Sequence, residues 1–315
     1  MTQAHSHFRE VAKQTTARIA LSLGLTIVFV VIEAAAGIFA NSLALLTDAG
    51  HNLTDVIALG LSWVAVRLTA QPANAQKTYG YHRAGILVAL VNSTTLVLIS
   101  LGIFYEAYRR FLSPPEVKST ILIGVGLIAV AVNVVTALLV RRGSESDLNL
   151  RSAFVHLMGD VFSTIGTVIA GVIIYFTKAE WLDPLISILI GVLILYSAWS
   201  ILRETVDILL ESTPHDVDVS KLVRDIMQIK GVLGVHDLHV WSITQNLRTM
   251  SAHILTDDVH LSTGAVTQSQ ISELLMKHYH IAHTTLQLEC IDCNHDMLYC
   301  NMTESRFSEE AKIES

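Results

Sequence analysis

The chain is poor in charge. Of its 315 residues only 16% are Asp, Glu, Lys or Arg, while 51% are hydrophobic. A typical soluble domain carries about 25% charged residues, so this composition argues against one and fits a protein with several membrane spans. Cysteine is scarce too. Cys290, Cys293 and Cys300 are crowded into the far end, an odd number that makes a poor disulfide framework and suits a reducing cytosolic face. No cleavable signal is expected, because the first residues are polar and the apolar stretch after them is too long for a signal h-region. The His-Glu-x-x-His pattern of a zinc peptidase is missing, which argues against a membrane metallohydrolase.

The charges present are unevenly spread. Residues 1–203 carry 14 Lys and Arg against 11 Asp and Glu, a balance of +3. Residues 204–315 carry 7 against 17, a balance of −10, and hold nine of the fourteen histidines. This divides the chain into a membrane half and an acidic, His-rich soluble half. Nucleic acid, which calls for a basic stripe, is not an expected partner.

Six apolar segments are long enough for a bilayer, which takes about 20 residues each. They lie near 16–38, 43–69, 84–110, 117–141, 150–177 and 184–209. Asn41-Ser42 separates the first two and can cap the second; Pro114-Pro115 stops the third; Asp183-Pro184 reads as cap and first-turn proline of the sixth. Basic residues flank one side: Arg9, Lys13 and Arg18, then Arg67, Lys77 and Arg83, then Arg141, Arg142 and Arg151. Arg109, Arg110 and Lys118 dissent, but the majority places both termini in the cytoplasm.

Beyond Glu211 the pattern shortens. Val219–Ile229 reads as an amphipathic helix, Val235–Thr244 and Thr249–Thr256 as strands, Gly264–Tyr279 as a helix and Thr284–Cys290 as a last strand. The order α-β-β-α-β predicts a small α+β domain with helices on one face of a three-stranded sheet. Four parts are expected: an N-terminal segment 1–15 with His5 and His7, a transmembrane domain 16–209, a cytosolic domain 210–292 and a polar tail 293–315.

Two phrases carry the chemistry. His51-x-x-x-Asp55 and His156-x-x-x-Asp160 each set an imidazole and a carboxylate one helical turn apart on a single face. Ionisable residues inside a membrane span are costly and mark ion paths. Two His and two Asp form a tetrahedral donor set suited to Zn²⁺. The absence of thiolate from the membrane half argues against copper(I), and the imidazoles against Ca²⁺ or Mg²⁺. Cd²⁺, Co²⁺ and Mn²⁺ stay open. Asp48 shares the face of His51 and Asp55 and is expected as a supporting residue or an entry acid. Glu33, Glu106 and Asn133 read as buried hydrogen-bond partners. Two functional classes stand at this point: a carrier, and a membrane metal sensor whose metal site does not transport.

The run from Ser42 through Asp48 and His51 to Asp55, the His156–Asp160 pair, the run from Val235 to Ser242 and the Ser251-Ala252-His253 that follows closely resemble the cation diffusion facilitator family, in its bacterial zinc-exporting and mammalian zinc-transporter branches. The resemblance covers residues 10–292. It implies a homodimer in the bacterial inner membrane, with six spans per protomer and a cytosolic metallochaperone-like domain. It also implies export of Zn²⁺ in exchange for protons, with Zn²⁺ as substrate and as cytosolic-domain ligand. The transport site it implies is His51, Asp55, His156 and Asp160. Cytosolic ligands fall on His236, His253 and Glu289, with His283 a further candidate. Cys290 and Cys293 resemble a tail ligand pair that would meet a partner's His5 and His7. The second-to-third loop offers His82 but no acid over residues 71–83, so a further metal site there is not expected.

Overall fold

The computed structural model describes residues 24, 26–141 and 148–290, apart from the side chains of 140, 148–153 and 156. The chain divides into two compact units. One takes the residues up to 67 together with 88–203; the other takes 68–87 together with the residues from 204 onward.

The first unit is helical: α1 (Thr26–Ala40), α2 (Leu43–Thr69), α3 (Ala84–Leu112), α4 (Ser119–Arg141), α5 (Leu148–Thr177) and α6 (Leu182–Leu209). Among the described residues four helices, α3 to α6, are long and apolar enough to cross a membrane. α2 is as long, but Asp48, His51, Asn52 and Asp55 dilute its apolar character. The outward faces are greasy, with Phe176 78% and Tyr196 80% exposed. A surface of that kind is stable against lipid, not water.

Close packing inside this unit relies on small residues. A Cβ at Gly126 of α4 would come within 2.7 Å of Val168 on α5, and one at Gly171 would strike Leu122. On the other side, α3 and α6 share a cluster of Leu96, Ile190, Ile194 and Ala198, and Gly191 packs under Phe104.

The start of α2 departs from the expected capping. Ser42 does cap it locally, its Oγ accepting from the Leu45 amide at 3.3 Å. But Asp183, expected to cap its own helix α6, caps α2 instead. Its carboxylate accepts from the Leu43 amide (2.6 Å), the Ala44 amide (3.3 Å) and the Ser42 hydroxyl (2.5 Å). The orphan amides of a helix N-terminus attract an anion, and the bundle supplies it from another helix.

The second unit has α7 (Val219–Met227), β1 (Val232–Thr244), β2 (Leu247–Thr256), α8 (Leu261–Tyr279) and β3 (Ile281–Glu289). This is the expected α-β-β-α-β order. The sheet runs β1-β2-β3, with β1 and β2 antiparallel and β2 and β3 parallel. Helix α8 is the crossover that a parallel pair needs. Leu222 and Ile226 of α7 and Ile271 and Leu275 of α8 cover Met250, Ile254 and Ile281 in one core. The connection between α2 and α3 also belongs to this unit, through an Arg83–Glu211 ion pair at 3.1 Å.

Candidate metal centres

Inside the helical unit, α2 and α5 bring three of the predicted residues together. His51 Nε2 lies 3.4 Å from Asp160 Oδ1 and 3.7 Å from Asp55 Oδ2. One donor atom from each falls within 4.8 Å of the others, close enough for a shared ion. The spacing follows from helix geometry: His51 and Asp55 are one turn apart, so both face α5 together. His156 lies on α5 one turn before Asp160, and its side chain is outside the described residues. A cavity of about 790 Å³ reaches the group, with Asn92, Ser163, Ser197 and Ile201 among its lining.

Asp48 is buried and stands beside this group, not in it. Its Oδ2 accepts from Thr164 Oγ1 at 3.0 Å. The Thr164 hydroxyl also lies 2.8 Å from the Asp160 carbonyl and accepts from Asn133 Nδ2 at 3.1 Å. Thr164 thus joins α2, α4 and α5 behind the acids. It carried no signal in the sequence, where one threonine in an apolar helix is unremarked. Glu33 and Asn133 are buried, as expected, Glu33 accepting from Asn52 Nδ2 at 3.4 Å. Glu106 is not. It is partly exposed and pairs with Arg109 (3.3 Å) and Arg110 (3.2 Å), because it sits near the end of α3 where those cations are one turn away.

The second group lies on the sheet. His236 Nε2 is 3.0 Å from Glu289 Oε2, and His253 Nδ1 is 2.9 Å from Glu289 Oε1. One residue comes from each strand. His236 is paired with His253 across the antiparallel ladder, and Glu289 is paired with Leu255 across the parallel one. Two imidazoles and a carboxylate within 4.8 Å form a donor set that fits Zn²⁺. Asp237 was missed by sequence reasoning. Strand alternation assigns it to the opposite face from His236, but the ladder shifts register between His236 and His239, and Asp237 takes a left-handed φ of 48°. The bulge re-aims its carboxylate, which lies 3.4 Å from His253 Nε2 and 3.2 Å from His239 Nε2.

His283 needs correction as a ligand of this group. It is paired with Thr249, and six residues of strand set it about 20 Å from Glu289. Its ring stands edge-on to Tyr79, with centroids 6.2 Å apart. Cys290 is exposed immediately after β3, while Cys293, His5 and His7 lie outside the described residues.

An apolar helical bundle with a buried histidine–acid group, joined to a small α+β domain with its own such group, defines a class: integral membrane proteins that handle divalent metal. The comparisons give the family. Residues 19–210 match the cation efflux transmembrane domain, and 214–290 match the cytoplasmic domain of cation efflux proteins. The chain belongs to the cation efflux family, the cation diffusion facilitators, whose members are transporters and not enzymes. It is 38% identical to a cadmium, cobalt and zinc/H(+)-K(+) antiporter of Bacillus subtilis over 85% of this chain and 87% of that protein. It is 37% identical to the zinc transporter ZitB of Pectobacterium atrosepticum over 94% of this chain and 91% of that one. A solved structure, the metal-bound C-terminal domain of the CzcD transporter, is 27% identical and covers 23% of this chain and 99% of its own, with a TM-score of 0.21.

Proposed function

We propose that this protein exports Zn²⁺, and Cd²⁺ as a second substrate, from the cytoplasm in exchange for protons. The observation that carries the reading is the His51–Asp55–Asp160 group, placed on two helices of an apolar bundle at the wall of a cavity. His156 completes the proposed donor set. Metal binds only deprotonated imidazole and carboxylate, so metal and protons compete for the same atoms. Protonation at a more acidic outer face weakens the site and releases the metal, and imidazole suits this exchange because its charge changes near neutral pH.

Charge movement bears on the ratio. Export of one Zn²⁺ for one proton works against an inside-negative potential at about 2.3 kcal/mol per 100 mV, whereas exchange for two is electroneutral. The reading also includes six spans, both termini in the cytoplasm, the inner membrane of a bacterium and a homodimer joined through the domain at 210–292. Zn²⁺ is the proposed ligand of His236, His253 and Glu289 there.

Proteoliposome flux under an imposed pH gradient tests it. Zn²⁺ should move against its gradient when protons run the other way, and Asp55→Ala or Asp160→Ala should abolish the movement. Zn²⁺ that binds the protein but never crosses the membrane would overturn export in favour of the sensor reading.

A further inference from the structure

We infer that Asp183 and Arg110 form a clasp that keeps the carrier closed at one end of its bundle, and that Asp183 is a positioning residue which must let go for the metal group to open there. The inference rests on the carrier reading proposed above.

Three connections, at 41–42, 113–118 and 178–181, meet at this end. The Arg110 side chain, only 11% exposed, approaches the Asp183 carboxylate at 3.7 Å and donates to the Asn41 carbonyl at 2.7 Å. Asn41 has a left-handed φ of 55°, which turns that carbonyl out of α1 toward Arg110. The Val117 amide donates to Glu180 at 3.0 Å, and the Lys118 amide to the Ala40 carbonyl at 2.9 Å. The Asp183 carboxylate itself is fully buried. A buried carboxylate is tolerated only with partners, and among the described residues the partners of this one, apart from Arg110, belong to the Ser42–Ala44 stretch.

The position of the cavity gives this contact its meaning. The cavity wall holds His51 and Asp55 of α2, Asp160 of α5, and α6 from Ile190 to Ile201. It therefore lies between α2 with α5 and the α3–α6 pair, on the far side of the metal group from the clasp. Toward the clasp Ala44, Thr47 and Ser187 are all buried. Access from this end requires α6 to part from α2, and Asp183 links the two helices there. The bond is strong: helix-end amides and one guanidinium converge on two oxygens, so it is made or broken as a unit.

Thr47 offers a reporter. It is one turn from His51 on the same face of α2 and one turn from the capped first residues. The full chain with Cys290, Cys293 and Cys300 changed to Ser and Thr47→Cys would be placed in liposomes and treated with a membrane-impermeant maleimide from each face. The clasped protein should label slowly from both. Asp183→Asn should speed labelling by about tenfold or more from the face bearing the 41–42 turn alone, and Ser42→Ala, which deletes one donor, by less. Unchanged labelling, or an equal rise from both faces as expected of general loosening, overturns the inference. Zn²⁺ flux measured in the same vesicles before the Asp183 change keeps the carrier reading separate: absence of flux there overturns the carrier, whatever the labelling shows.

Discussion

At the scale of single residues, the centre depends on groups that touch the proposed ligands as much as on the ligands. Thr164 has one hydroxyl proton and two acceptors, the Asp48 carboxylate and the Asp160 carbonyl. Thr164→Val keeps the shape and deletes the hydroxyl, which leaves Asn133 and Asp48 each short of a partner. Support of this kind is worth about tenfold or more in metal affinity. A Zn²⁺ titration of the purified protein should show that loss, and Thr164→Ser should restore binding. A binding curve unchanged by the valine would mean that Asp48 needs no such support.

Individual residues also show what the sequence could and could not reveal. That His51 and Asp55 are neighbours was legible because helical spacing fixes which side chains share a face, whereas the approach of Asp160 depends on how α5 packs on α2. Asp237 was not, since the bulge that re-aims it depends on how β1 pairs with β2. Asp183 was read as the cap of its own helix because a local partner is all that a sequence displays. Its actual partners are 139 to 141 residues away. His283 was chosen by residue type, and only the register of β3 separates it from the other ligands.

At the scale of elements, α4 and α5 pack through glycines, so bulk should be poorly tolerated there. Gly171→Leu drives a side chain into Leu122 and Ile123, and overpacking of this kind costs about 1–3 kcal/mol. Thermal unfolding in detergent should fall by several degrees, while the same change at Gly60, where no neighbour stands close, should have little effect. In the other unit, the Tyr279 phenol of α8 donates to Asp225 of α7 at 2.6 Å. Burial, and then this bond to a carboxylate, push it from 10.0 up to about 12. The folded domain keeps the proton after the unfolded chain has lost it, so the stabilisation is complete below about pH 10 and disappears as pH rises through about 12. Tyr279→Phe should remove one late-ionising phenol from an ultraviolet titration of the intact protein. It should also cost about 1 kcal/mol at neutral pH, the worth of a typical hydrogen bond.

At the scale of the whole molecule, residues 204–315 carry a balance of −10 and include a donor set separate from the proposed transport site. The proposed consequence is a transport rate that responds to cytoplasmic metal. Replacing His236 and His253 together by Ala should leave basal Zn²⁺ flux in place but flatten its rise with metal concentration, as read from initial rates in vesicles. An unaltered concentration dependence would reject the regulatory role. The order of elements in both units followed from hydrophobic period and turn residues. The number of spans was less legible, because the polar residues that make α2 interesting are those that weaken its membrane signature.

The cap on α2 has a consequence for biogenesis. The carboxylate that secures its first turn is encoded 140 residues later than the Leu43 amide it receives, so a nascent chain leaves the ribosome with that turn unfinished. Through the synthesis of three further helices those amides have only water, lipid headgroups or the insertion machinery as partners. Assembly is then completed late and in one step, when the sixth helix arrives, and a chain halted before it should be recognised by quality-control proteases as incomplete.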